Sequence, residues 1–103
     1  MRIIALFNLK PGSTPAAYEE WARTRDIPGV RSLVSVKDFQ VLRTTGTLMS
    51  DAPAPYQYIE VIDITRMDEF ERDCAGDRVA ALASEMNAYT DNAVFMLTEE
   101  VAP

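Results

Sequence analysis

Histidine is absent from the 103 residues, and cysteine occurs once, at Cys74. Any proton transfer or charge stabilisation by this chain therefore falls to carboxylates, tyrosines, arginines, amides or the single thiol. A lone cysteine makes no internal disulfide and no thiolate metal cluster, which suits a reducing compartment. No apolar run approaches the roughly 18 residues of a membrane span, and Met1 to Asn8 shows no small-residue cleavage site. The expected location is the cytoplasm. A Gly-rich phosphate loop, metal-ligand spacing and a nucleophile elbow are all missing, so neither metal nor organic cofactor is expected.

Positive charge is also scarce. With 16 acidic against 10 basic residues the net charge is −6. That balance argues against nucleic acid or an anionic membrane as partner. Eight of the ten basic residues are arginine, the better side chain for two-pronged carboxylate contact. At 48% hydrophobic and 25% charged the composition is globular, and the length fits one domain over residues 1–103.

Ile3 to Leu9 reads as a strand closed by Lys10-Pro11-Gly12. Thr14 is the expected N-cap of a helix with Pro15 at its first position. Tyr18, Trp21, Ala22 and Arg25 form one stripe, and the helix should stop before Pro28-Gly29. A long second strand, with room for a bulge, spans Ser32 to Leu48. A connection containing Gly46, Pro53 and Pro55 leads to a third strand starting at Tyr56. Thr65 to Asp68 resembles a capping box ahead of Met67, Phe70 and Cys74, and Asp77 recaps a second helical piece with Val79, Leu82, Ala83, Met86 and Tyr89 inward. Ala93 to Val101 reads as the last strand. The order β-α-β-β-α-β is the ferredoxin-like α+β arrangement, an antiparallel four-stranded sheet with two helices on one face. The first and last strands are apolar on both faces, however. A second copy of the sheet is the expected cover, making a homodimer.

Glu60 is the most informative polar residue, because it lies within Tyr58-Ile59-Glu60-Val61-Ile62, otherwise a buried-strand pattern. A carboxylate there needs a partner or loses its charge. Pairing the second and third strands about residue 51 sets Arg43 roughly opposite the Tyr58 to Glu60 stretch. An Arg43–Glu60 ion pair is then either structural, or a base and an anion-holding charge acting on a ligand. Tyr56 and Tyr58 share the parity of Glu60. Trp21 and Arg25, one helical turn apart, offer a ring and a cation to an aromatic ligand, or else a core anchor and a solvated charge. Asn8 offers an amide to a ligand carbonyl or satisfies the strand-to-turn backbone. Tyr89 is a further candidate wall for a planar ligand. Cys74 is most simply a small buried hydrophobe, and the acidic face from Asp68 to Asp73 is solvated.

Phe7-Asn8-Leu9-Lys10-Pro11-Gly12, Tyr18-Glu19-Glu20-Trp21-Ala22, the Asp26-Ile27-Pro28 turn, Val36, Phe39, Arg43 and above all Pro55 to Asp63 carry a family likeness. The chain resembles the HapK-type REDY-like proteins, within the dimeric α+β barrel superfamily, over nearly its whole length. The resemblance implies a dimer of face-to-face sheets with a small-molecule pocket between sheet and helices in each subunit. It also implies a part in making or oxidising a bipyrrole-type precursor of prodiginine pigments, or a related metabolite. The expected ligand is small, planar and heteroaromatic, with Glu60 and Arg43 as catalytic candidates. Asn8, Trp21, Arg25, Tyr56, Tyr58 and Tyr89 are the binding candidates. Two other branches of the superfamily supply alternatives. One comprises cofactor-independent monooxygenases of aromatic polyketide pathways, which use an Asn, Trp and Arg set; the other is a non-enzymatic ligand sensor.

Overall fold

The computed structural model describes residues 1–103. Four strands, β1 (Arg2–Leu9), β2 (Val36–Arg43), β3 (Tyr58–Ile64) and β4 (Thr90–Leu97), form one antiparallel sheet in the order β2-β3-β1-β4. The two central strands are the most apolar, as expected where both edges are paired. Along β1 the residues Ile3, Ala5, Phe7 and Leu9 are buried beneath the helices, and Tyr58, Glu60, Ile62 and Ile64 do the same in β3. The ferredoxin-like topology expected from the element order is the one observed.

The helical layer departs from the expectation. Thr14 caps α1 (Pro15–Trp21), its Oγ1 accepting from the Ala17 amide at 3.2 Å, with Pro15 at the helix start. The helix does not stop before Pro28. It passes through a π-helical turn, Ala22–Asp26, and continues as α2 (Ile27–Arg31). The Ile27 amide reaches back five residues to the Ala22 carbonyl, and the widened turn absorbs a proline that lacks an N–H and would crowd a regular helix. A Cβ at Gly29 would lie 2.8 Å from Leu82 Cδ1, so the absence of a side chain lets α2 approach its neighbour without displacing that leucine.

Further boundaries differ. The second strand covers only Val36–Arg43, with a register shift between Val36 and Asp38. β3 begins at Tyr58, leaving Tyr56 in the connection, and β4 ends at Leu97. Arg66, not Thr65, precedes α3 (Met67–Cys74), since the Thr65 hydroxyl donates to the Ser35 carbonyl at 3.4 Å. Gly76 is the residue before α4 (Asp77–Met86), so Asp77 lies in its first turn, where its charge suits the helix dipole. No helix is long and apolar enough to cross a membrane.

Two packed groups make the core. One gathers Phe7, Tyr18, Trp21, Tyr58 and Met86, and the other Ile3, Phe39, Ile62 and Ile64. Towards β4 the helices stand away from the sheet, so Phe95 and Leu97, which pair with Ala5 and Ile3, stay open to the space between. On the far face of the sheet Val94 is 64% and Met96 43% exposed, beside half-buried Leu6 and Ile4. That face is apolar and uncovered in the single chain.

Candidate ligand-binding site

Glu60 stands at the centre of β3, flanked by Ala5 of β1 and Val41 of β2, with its side chain beneath the helices. It is 1% exposed. The small Ala5 leaves room above the strand. Tyr18 of α1 donates its hydroxyl to Glu60 Oε1 at 3.3 Å. From the end of the π turn comes Asp26, 4% exposed, whose Oδ2 meets no donor from the rest of the protein. A carboxylate cannot donate to another carboxylate, but a protonated one can. One proton held between Asp26 and Glu60 makes the pair a carboxyl–carboxylate hydrogen bond.

The electrostatics favour that proton. Burial, then the nearby Asp26 charge, pushes the Glu60 carboxyl well above the usual carboxylate range. Burial likewise lifts Asp26 to about 6, with Glu85 adding to the effect and the Glu60 hydrogen bond opposing it. The Tyr18 phenol is raised for the same reason, burial first and the Glu60 charge second, so it remains a donor. At neutral pH the pair therefore holds one proton and a net charge of about −1, a property of the two groups together.

Both acids line a cavity of about 340 Å³ between sheet and helices. Its walls include Val30, Phe39, Phe70, Met86 and Phe95, Asn87 is the one other polar residue of the lining, and no lysine or arginine reaches it. This size and apolar lining with few convergent polar groups are those of a small-molecule site.

The other candidate residues lie elsewhere. The expected Arg43–Glu60 ion pair is not formed. Arg43 pairs with Tyr58 in the strand register, and its guanidinium donates to both oxygens of Glu19 on α1 at 2.8 Å each. Tyr58 donates its hydroxyl to the same carboxylate at 2.7 Å, and Arg23 adds a contact at 3.1 Å. Hydrogen bonds from Arg43 and Tyr58 hold Glu19 down at about 2, while burial and that carboxylate push Tyr58 up to about 12. The long side chains of Arg43 and Tyr58 reach the sheet edge, where α1 presents Glu19; Glu60 is one same-face position deeper and out of their reach.

Trp21 donates Nε1 to Glu85 of α4 at 2.8 Å, and Arg25 grips Glu85 through Nε at 3.0 Å and Nη2 at 2.7 Å. These hydrogen bonds, Arg25 first, lower the Glu85 carboxyl to about 2. Tyr89 stacks on Trp21 with ring centres 5.6 Å apart. Trp21, Arg25 and Tyr89 thus form a second cluster outside the cavity walls. Asn8 binds backbone: Nδ2 donates to the Pro55 carbonyl at 3.3 Å, and Oδ1 accepts from the Gln57 amide at 3.0 Å. Tyr56 is exposed in the connection, where its carbonyl accepts from Thr44 Oγ1 at 2.6 Å. The eight residues do not converge on one cavity; Glu60 alone among them lines it.

Asp26 is the site residue that pattern reading missed. The regular helical stripe assigns position 25 inward, but the extra residue of the π turn rotates the face by one and brings Asp26 in instead, leaving Arg25 outside. Pro28 inside a continuing helix is the sequence signal that would have revealed the shift.

A family model described as REDY-like protein HapK matches residues 1–101. The chain is 27% identical to HapK from Hahella chejuensis, with a TM-score of 0.74 and coverage of 99% of this chain and 97% of that one. The protein At3g17210 from Arabidopsis thaliana shares the fold at a TM-score of 0.81 and 14% identity, covering 99% and 96% of the two chains. SnoaB, a cofactor-independent oxygenase from Streptomyces nogalater, does so at 0.72 and 16%, covering 99% and 95%. No curated protein matches.

Proposed function

The chain belongs to the REDY-like HapK family, and on that footing we propose that it binds a small planar heteroaromatic metabolite in the cavity above Glu60. In this reading it assists the formation or oxidation of a bipyrrole-type precursor in bacterial secondary metabolism. The observation that carries it is a buried carboxyl inside an otherwise apolar cavity of about 340 Å³. With one proton shared between Glu60 and Asp26, the pair keeps one negative charge that can accept a hydrogen bond from a bound N–H or hydroxyl, or take its proton. Glu60 has the catalytic role, Tyr18 holds its Oε1, and Asp26 tunes its proton. In this reading Arg43 is given a structural role, since its guanidinium is held by Glu19 at the sheet edge.

Supporting assembly as a homodimer is the uncovered apolar face built on Leu6, Val94 and Met96. Oxygenation through a substrate anion, the chemistry of the rival reading, is disfavoured by the charges. A cavity with a net negative acid pair and no cation raises the energy of an anion formed inside it.

The test is incubation with a hydroxybipyrrole and, separately, with a hydroquinone under oxygen, with binding followed by calorimetry and products by mass spectrometry. Saturable binding of the bipyrrole, weakened in Glu60→Gln with assembly intact, supports the reading. Conversion of the bipyrrole makes the protein an enzyme, whereas binding alone makes it a carrier or sensor. Cofactor-free oxygen uptake with the hydroquinone instead selects the monooxygenase.

A further inference from the structure

We propose that this cavity selects ligands presenting an N–H or other cationic or neutral donor and turns away carboxylates and phosphates, because Asp26 and Glu60 bring two carboxyls and no cation into one apolar enclosure. The proposal rests on the cavity being the ligand site and specifies the chemistry of what enters it.

Geometry supplies the first part of the argument. The two acids reach the cavity from opposite layers, Glu60 from β3 and Asp26 from the helical side, and both line it. The donor nearest to Glu60, the Tyr18 hydroxyl, is committed to one oxygen. Asp26 receives nothing from the protein except what Glu60 can offer. Asn87 is the one amide of the lining that can donate, against two carboxyls, so acceptors outnumber donors in the site and a ligand donor complements it.

Charge supplies the second part. The titratable groups acting on the pair are Tyr18 from α1 and Glu85 from α4, and Cys74 from α3 lines the same cavity; each is neutral or negative. Arg25 and Arg43 lie on either side, but Glu85 and Glu19 hold them in two-pronged contacts outside the walls. An incoming carboxylate would lose its water beside a charge of its own sign with no counter-ion. A ring N–H would gain a charge-assisted hydrogen bond at the same place. The aromatic and aliphatic walls then take the flat body of the molecule.

The experiment compares three bicyclic probes of one shape, indole, benzofuran and indole-2-carboxylate, by calorimetry at pH 7.5 on the protein as purified. Indole is expected to bind about tenfold or more tightly than benzofuran, which lacks only the N–H, with the carboxylate weakest. In the D26N/E60Q double variant, whose fold is checked by circular dichroism, the carboxylate should gain on indole, since amide donors replace the charge. If that variant does not fold, D26N alone should narrow the same gap. Equal binding of indole and benzofuran to the unaltered protein, or tighter binding of the carboxylate, overturns the donor preference while leaving the cavity as a binding site. Failure of all three probes to bind overturns the ligand site and this proposal with it.

Discussion

Arg43 and Tyr58 occupy paired positions on adjacent strands, and both donate to the same carboxylate, Glu19 of α1. This contact ties the first helix to the sheet edge and leaves Glu60, two residues farther along β3, without a cation. The division separates a structural carboxylate, held charged by its donors, from a cavity carboxyl whose environment favours the proton.

Glu19→Ala should destabilise the fold by about 1–3 kcal/mol, because the Tyr58 hydroxyl loses its acceptor where water has little access. Arg43→Ala should cost less than Glu19→Ala, its side chain being 60% exposed. Urea denaturation of the two variants checks the order. A larger loss in Arg43→Ala would show that the ion pair rather than the tyrosine bond anchors the helix.

Stability should be greatest in mildly acidic solution. Asp26 has a folded-state value of about 6 against an ordinary 3.8. The folded protein therefore binds this proton more tightly than the unfolded chain does, and stability falls as pH rises from about 4 through 6. The full penalty above that window is about 3 kcal/mol. Glu19 behaves oppositely: held at about 2 instead of 4.5, it contributes stability that is lost as pH drops below 4.5 towards 2. Asp26→Asn should raise stability at pH 7.5 by about 1–3 kcal/mol and reduce the slope between pH 4 and 6, leaving the part due to Glu60, whose raised carboxyl acts in the same direction. Chemical denaturation across pH provides the measurement, and an unchanged slope in the variant would place the effect elsewhere.

Gly29→Ala should cost about 1–3 kcal/mol, since its methyl would lie 2.8 Å from Leu82 Cδ1 on α4. Leu82→Ala is destabilising by itself, as Leu82 belongs to the core. In the double variant the glycine penalty should largely vanish, a coupling that a double-mutant cycle reads directly. Additive losses would mean that the backbone of α2, rather than the leucine, resists the methyl.

The apolar outer face predicts the assembly state. The protein should sediment as a dimer at micromolar concentration, and Val94→Glu, which sets a charge in the middle of that face, should shift it towards monomer with the fold retained. A monomeric unaltered protein would remove the homodimer from the account.

Much of this architecture is legible in the residues themselves. Period-two apolar strands, a Thr-Pro helix start and proline-rich connections are local signals, and they led to the ferredoxin-like order that is observed. The site was legible only in Glu60, whose charge conflicts with its strand. The partner of Arg43 was not, because a hairpin midpoint locates Arg43 against β3 but says nothing of the helix above, which supplies Glu19. Asp26 was hidden for a different reason. A stripe counted at regular helical spacing cannot register the added residue of a π turn, and Pro28, by itself a helix-end signal, here marks a change of pitch. Spacing sets Trp21 and Arg25 one turn apart, but their common partner, Glu85, lies 64 and 60 residues away and holds both outside the cavity walls.

The most direct test of the central claim is carbon-13 NMR of the side-chain carboxyls of Asp26 and Glu60, recorded across pH with and without the hydroxybipyrrole. In the free protein Glu60 should keep a protonated carboxyl signal through neutral pH while Asp26 titrates near 6, and adding the ligand should move both signals. Two carboxyls that ionise in the ordinary range and ignore the ligand would contradict the shared proton and the site built on it.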